Sequence, residues 1–222
     1  MPPVPIAVLV SGRGSNLQAL LDATREGAPG RVALVISDRK DAGALDVARK
    51  AGLAAEWVSV DGAETDATLA LLEKHRIGLV VLAGYLKRVS GAVVAAFKGR
   101  IVNVHPALLP AFGGPGMYGR RVHEAVLQSG ARLSGVTVHI VDEQYDHGPV
   151  LAQWPVPVRP GDTAESLAAR VLAVEHRLLP AVVLACCARL ASGANPAALA
   201  ASAEAFALST TLPDFRHALI PA

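Results

Sequence analysis

The chain has 222 residues, enough for one domain or one domain with a tail, and its 52% hydrophobic content supplies a sizeable core. With 21 basic against 19 acidic residues it shows no electrostatic bias toward nucleic acid or a membrane surface, and four Phe and three Tyr are too few for a base-stacking platform. No apolar stretch is long and uninterrupted enough to span a bilayer, which takes about 20 residues, and the opening MPPVPIAVLVSG lacks the basic segment of a secretion signal.

Over the first 150 residues, short β-branched runs alternate with amphipathic stretches. IAVLV (6–10), RVALVIS (31–37), AAEWVSV (54–60), GLVVLAG (78–84) and RIVNVH (100–105) read as strands. Between them, 16–27, 42–52, 66–76 and 90–99 read as helices, with Gly27, Gly52 and Gly99 where C-caps are expected. Continuously apolar strands alternating with helices predict an open, mostly parallel, twisted α/β sheet with helices on both faces, Rossmann-like in its first half. Ligands of such sheets bind beyond the carboxyl ends of the strands. Later, 133–142 and 148–158 are consecutive strands, which predicts a mixed edge. A long helix follows over 162–190, capped by Asp162 or Thr163 and kinked at Pro180. The expected organisation is one domain over 1–192 and a tail over 193–222.

Two stretches carry chemistry. In VLVSGRGSNLQAL a glycine-rich turn joins the first strand to the first helix, where unpaired N–H groups and the helix dipole welcome an anion. Leu17 stands where a dinucleotide fingerprint has its third glycine, and no Walker lysine follows, so Gly14, Ser15 and Asn16 suit a phosphate monoester. The turn alone is equally well read as a tight βα connection with Ser15 as N-cap. In IVNVHPALLP, Asn103 and His105 lie two residues apart on one strand face, at the carboxyl end where sites of this architecture form. An amide donor beside an imidazole suits attack of an amine on a carbonyl, with Asp146 in YDHGP as a candidate partner for His105. The adjacent Cys186 and Cys187 fit neither a metal knuckle nor a redox pair and read as small buried hydrophobes.

The segments SGRGSNLQAL, VLAGYLKRVS, IVNVHPALLPAF, GVTVHIVDEQYDHGPVL and VEHRLLP follow one another in the order and spacing of the glycinamide ribonucleotide formyltransferase family. The chain resembles that family from about residue 5 to 190. The resemblance implies transfer of the formyl group of 10-formyltetrahydrofolate, as co-substrate and without a metal, to the glycyl amine of glycinamide ribonucleotide. It implies that Asn103 polarises the formyl oxygen, that His105 stabilises the oxyanion and moves protons, and that Asp146 holds His105 charged. Gly14, Ser15 and Asn16 would hold the phosphate and Glu175 the ribose hydroxyls; Leu86, Lys87, Arg88, Val89, Asn103, Asp142 and Asp146 would line the folate site, with His139 beside the aspartate.

The sequence departs from the family in two places. AFGGPGMYGRRVHEAV after Pro110 is longer than the usual connection and is expected to be a mobile flap, leaving Arg120, Arg121 and His123 without counterparts. VSVDGAETDATL lacks an arginine found before the third helix of some members, so Lys87 and Arg88 become the candidates to meet the folate glutamate tail. Rival readings are a formyltetrahydrofolate deformylase, which uses the same Asn–His–Asp set behind a regulatory domain, and a methionyl-tRNA formyltransferase, which carries a basic tail. An NAD(P)-linked oxidoreductase with Asp38 after the second strand leaves Asn103 and Asp146 unexplained, and a sugar-phosphate-binding module has no use for the triad. The expected protein is cytoplasmic, a monomer or homodimer, acting on small molecules with no nucleic-acid or membrane partner.

Overall fold

In the computed structural model, residues 2–59 and 65–201 are described. Seven strands, β1 (Val4–Val10), β2 (Gly30–Ser37), β3 (Ala54–Trp57), β4 (Leu79–Leu82), β5 (Ile101–His105), β6 (Leu133–Ile140) and β7 (Val150–Pro157), form a single sheet in the order β3-β2-β1-β4-β5-β6-β7. The first five run parallel, and β6 and β7 add an antiparallel edge. The direction of winding reverses between β1 and β4, which opens the crevice where open α/β sheets bind their ligands.

Strand alternation divides the core. Ile6, Val8 and Val10 face one side of the sheet, with Leu17 and Leu20 of α1 (Ser15–Ala23), Leu45 of α2 (Gly43–Lys50) and much of the last helix. Ala7 and Leu9 face the other side, with Leu72 of α3 (Thr65–Lys74) and Val93 and Val94 of α4 (Gly91–Ala96). Leu17 is fully buried, so the residue that breaks the dinucleotide fingerprint serves instead to seat α1 on the sheet; such a side chain contributes about 1.5–3 kcal/mol.

The helices differ from the sequence expectation in three instructive ways. Gly14, not Ser15, is the N-cap of α1: it sits in the left-handed region and Ser15 opens the helix with no side-chain cap bond. That helix also ends at Ala23, ahead of Gly27. Residues Arg120–Gln128 form a helix, α5, that takes in the second part of the stretch 111–126 expected as a flap; Val122, His123 and Val126 give it a buried stripe that the preceding glycines conceal in the sequence. The last helix, α6 (Ala164–Ala191), contains Pro180 and is capped, as expected, by Thr163, whose hydroxyl accepts from the Ser166 N–H while the Ser166 hydroxyl accepts from the Thr163 N–H.

By length and composition α6 does reach what a membrane span requires, against expectation; half of that stretch is buried here, packed on α1, α5, β6 and β7. Cys186 and Cys187 lie inside this packing as free thiols, and burial pushes both up to about 12, as inert hydrophobes require. Pro196–Ala201 forms a 3₁₀ turn against α6 and β7. The expected end of the third strand at Val60, most of the expected tail, and part of the segment without an arginine lie outside the described residues.

Candidate active site

A cavity of about 610 Å³ opens at the carboxyl ends of β1, β4 and β5. Every site residue read from the sequence borders it: Gly14, Ser15 and Asn16 from the first loop, Leu86, Lys87, Arg88 and Val89 from the loop after β4, Asn103 and His105 from β5, His139 from β6, Asp142 and Asp146 from the β6–β7 connection, and Glu175 from α6.

At one end lies an anion cradle. The N-terminus of α1 faces the cavity, and the Gly12 carbonyl accepts from the Ala44 N–H at 3.1 Å, which ties the loop to the start of α2. Asn16 is buried and donates through Nδ2 to Glu175 Oε2 at 2.6 Å, while its Oδ1 has no hydrogen-bond partner among the described residues. Asp38 accepts a hydrogen bond from the Ser11 hydroxyl, which in turn accepts from the Leu86 N–H at 2.9 Å. The carboxylate a dinucleotide enzyme would offer to a ribose is thus occupied in bracing β1 against the loop after β4.

Burial raises the Glu175 carboxyl above its ordinary value, and the Asn16 hydrogen bond opposes this only partly. A group whose folded pKa is raised favours the folded state below its unfolded pKa and loses that contribution as pH rises through the folded pKa. Glu175→Gln is therefore expected to raise the melting temperature of the ligand-free protein at pH 7–8, by about 2–4 °C per kcal/mol relieved. The difference from the parent should shrink as pH falls through the carboxylate range in a thermal-melt series, and no change at pH 8 would contradict it.

The reactive set borders the same cavity. Antiparallel pairing sets Asn103 opposite His139 and His105 opposite Thr137. Thr137 donates to the Ala107 carbonyl at 2.7 Å and accepts from the Leu109 N–H at 3.0 Å, so β6 fixes the turn that follows His105. His105 is 3% exposed and its Nε2–H donates to the Phe112 carbonyl at 2.9 Å. Because a carbonyl only accepts, the neutral ring carries its proton on Nε2, and the Nδ1 lone pair faces Asp146 Oδ2 at 3.6 Å. Phe112 and Asp146, the two residues against this ring, both hold left-handed backbone (φ 57° and 54°), which is uncommon for an aromatic residue.

Burial lowers His105 below its ordinary value; Asp146 and the Phe112 carbonyl act upward without reversing this, and His139 adds to the lowering. In the free protein the ring is thus biased toward neutral, whereas the sequence reading has Asp146 holding it charged; desolvation of a nearly enclosed imidazole outweighs one carboxylate. For Asp146, burial acts upward, but the neighbouring His139 ring, the Gly114 N–H at 2.9 Å and His105 more than offset it and hold the carboxyl below its ordinary value.

The rim is apolar. Leu86, Tyr118 and Tyr145 are each more than 40% exposed at the mouth, where flat faces suit a heterocycle. Val89 is buried in the second core while bordering the cavity. Arg88 donates to the Glu143 carbonyl at 2.6 Å and so clamps the β6–β7 connection, leaving Lys87 as the freer cation of the pair expected to meet a glutamate tail. Tyr118 and Tyr145 escape the sequence reading, which gives His123 no role. His123 is 5% exposed, borders the cavity, and has an Nδ1 without a partner among the described residues; the apolar spacing of Val122 and Val126 around it was the available signal. Among the described residues no group of three His, Cys, Asp or Glu is arranged to hold a metal ion.

Residues 4–183 match the family described as Formyl transferase, and the chain belongs to that family. Within it, the resemblance is to phosphoribosylglycinamide formyltransferases. The chain is 46% identical over 189 residues to the chloroplastic one of Arabidopsis thaliana, covering 82% of this chain and 65% of that protein. It is 39% identical to the one from Escherichia coli K12, covering 80% and 84%. The crystal structure of the Brucella melitensis phosphoribosylglycinamide formyltransferase aligns with a TM-score of 0.77 at 42% identity, covering 84% of this chain and 97% of that one. The chain spans 65% and 60% of the length of the two plant relatives.

Proposed function

We propose that this protein transfers the formyl group of 10-formyltetrahydrofolate to the glycyl amine of glycinamide ribonucleotide, a step of purine biosynthesis, in the cytosol. The observation that carries the reading is what borders one cavity: an anion cradle with a buried carboxylate, apolar side chains at the mouth, and Asn103, His105 and Asp146. The phosphate and ribose of one substrate suit Ser15, Asn16 and Glu175; the pterin of the other suits the rim beside Leu86 and Tyr145.

In this reading the Asn103 amide donates to the formyl oxygen as the amine attacks and negative charge gathers there. The new C–N bond forms, and the amine proton passes to the basic Nδ1 side of His105, where Asp146 stabilises the imidazolium. Collapse breaks the bond from carbon to the folate nitrogen, which receives that proton. Burial that keeps His105 neutral beforehand makes it a ready acceptor.

The test follows loss of formyl from 10-formyltetrahydrofolate with and without glycinamide ribonucleotide. Turnover is expected to require the ribonucleotide and to yield its formylated product one for one. Formyl release at an unchanged rate without it would overturn the transferase reading in favour of hydrolysis.

A further inference from the structure

His139 has no task in the reaction as described, yet it is 2% exposed and touches two members of the reactive set. Its Nδ1 lies 2.9 Å from the Ile140 carbonyl, and its Nε2 lies 3.0 Å from Asn103 Nδ2. A carbonyl only accepts, so Nδ1 must carry the proton and Nε2 of the neutral ring presents a lone pair. An amide can meet that lone pair with its nitrogen and not with its oxygen. Asp146 Oδ1, 3.6 Å from Nε2, is too far to accept a hydrogen bond from it and as a carboxylate has none to donate, which leaves the Asn103 N–H as the group that meets the lone pair. The cross-strand register that sets Asn103 opposite His139 makes this contact a property of the sheet.

We propose that His139 is a positioning residue: the Ile140 carbonyl fixes its tautomer, and the tautomer fixes which way round the Asn103 amide stands. One Nδ2–H is spent on His139, and the second remains as a donor toward the cavity that Asn103 borders. Turned the other way, the amide would set its oxygen against the His139 lone pair and lose the nitrogen that a developing oxyanion needs. The proposal rests on the reading of Asn103 as donor to the formyl oxygen.

Two substitutions separate the ring's two contacts. In His139→Asn the amide reaches only the Nδ1 position, keeping the bond to Ile140 and leaving Asn103 without an acceptor. In His139→Gln the amide oxygen reaches the Nε2 position and accepts from Asn103. We expect His139→Asn to lower kcat about tenfold or more with both KM values changed less than about threefold, and His139→Gln to recover most of that loss. In an Asn103→Ala background, His139→Asn is expected to cost nothing further. Equal losses in the Asn and Gln variants, or additive losses in the Asn103→Ala background, overturn the positioning role while leaving the function intact. Near-normal turnover by Asn103→Ala alone instead sinks the reading of Asn103, and this inference with it. Long-range ¹H–¹⁵N spectra of the unmutated protein read the ring's protons without relying on a variant's folding: an unprotonated Nε2 is expected, and a proton on Nε2, in the neutral or the charged ring, overturns the proposal.

Discussion

Asp146→Asn is expected to lower kcat by about 10²–10⁴-fold, the range for loss of assisted proton transfer, with both KM values near those of the parent. The structure gives the substitution a place to fit. The amide oxygen can keep the Gly114 N–H bond now made by Oδ2, and asparagine accepts the left-handed backbone that Asp146 holds. What disappears is charge. An imidazolium forming on His105 would have no counter-ion in a nearly enclosed site, and the upward pull of Asp146 on His105 would vanish while burial went on acting downward. The pH limb of kcat that reports His105 should therefore move to lower pH in the variant. Stability moves too: a carboxyl held below its unfolded pKa stabilises the fold above that value and loses the contribution on acidification. Parent and variant should thus converge in melting temperature below about pH 4. Steady-state kinetics across pH settle the matter, and turnover near that of the parent would remove Asp146 from the mechanism.

What the sequence made legible here is what local periodicity controls. Alternation put Asn103 and His105 on one face at a strand end, and the apolar runs with helices between them fixed the parallel half of the sheet. Contacts set by pairing register were out of reach: nothing in the spacing of 103 and 139 says that β6 runs antiparallel to β5 with these residues opposed. The Asn16–Glu175 bond spans 159 residues and joins the first and last helices, so resemblance supplied Glu175 where local pattern gave no reason for it. α5 was hidden for another reason. Its N-cap is a glycine without a capping side chain, and it follows a run of Gly and Pro that reads as punctuation. Missing that helix also hid His123. The downward pull on His105 was out of reach because a neighbouring carboxylate can be inferred from a motif, whereas desolvation depends on everything packed around the ring.

Gly14→Ala should damage the protein through the anion cradle and in a different currency, binding and stability rather than turnover. Gly14 holds φ 91° at the N-cap of α1, where alanine costs about 1–2 kcal/mol. A Cβ there would also stand 2.8 Å from Ala44 Cα and 2.9 Å from Ala44 Cβ, contacts with the backbone and first turn of α2 that no rotamer can relieve. Overpacking of this kind typically costs a further 1–3 kcal/mol. Together these predict a fall in melting temperature of roughly 5–15 °C. Relief requires the loop to move off α2, which also shifts the first N–H groups of α1, the donors an anion would use. The KM for the ribonucleotide is therefore expected to rise about tenfold or more while the KM for the folate substrate, proposed to bind beside Leu86 and Tyr145, stays nearer that of the parent. Gly12→Ala is the steric control, because no atom of the described residues lies within 4 Å of a Cβ added there. Its melting temperature should stay close to the parent's, since a substitution into open space typically changes stability by no more than about 0.5 kcal/mol. A Gly14→Ala protein that melts with the parent and binds the ribonucleotide as well would show that neither the left-handed turn nor its contact with α2 shapes the cradle.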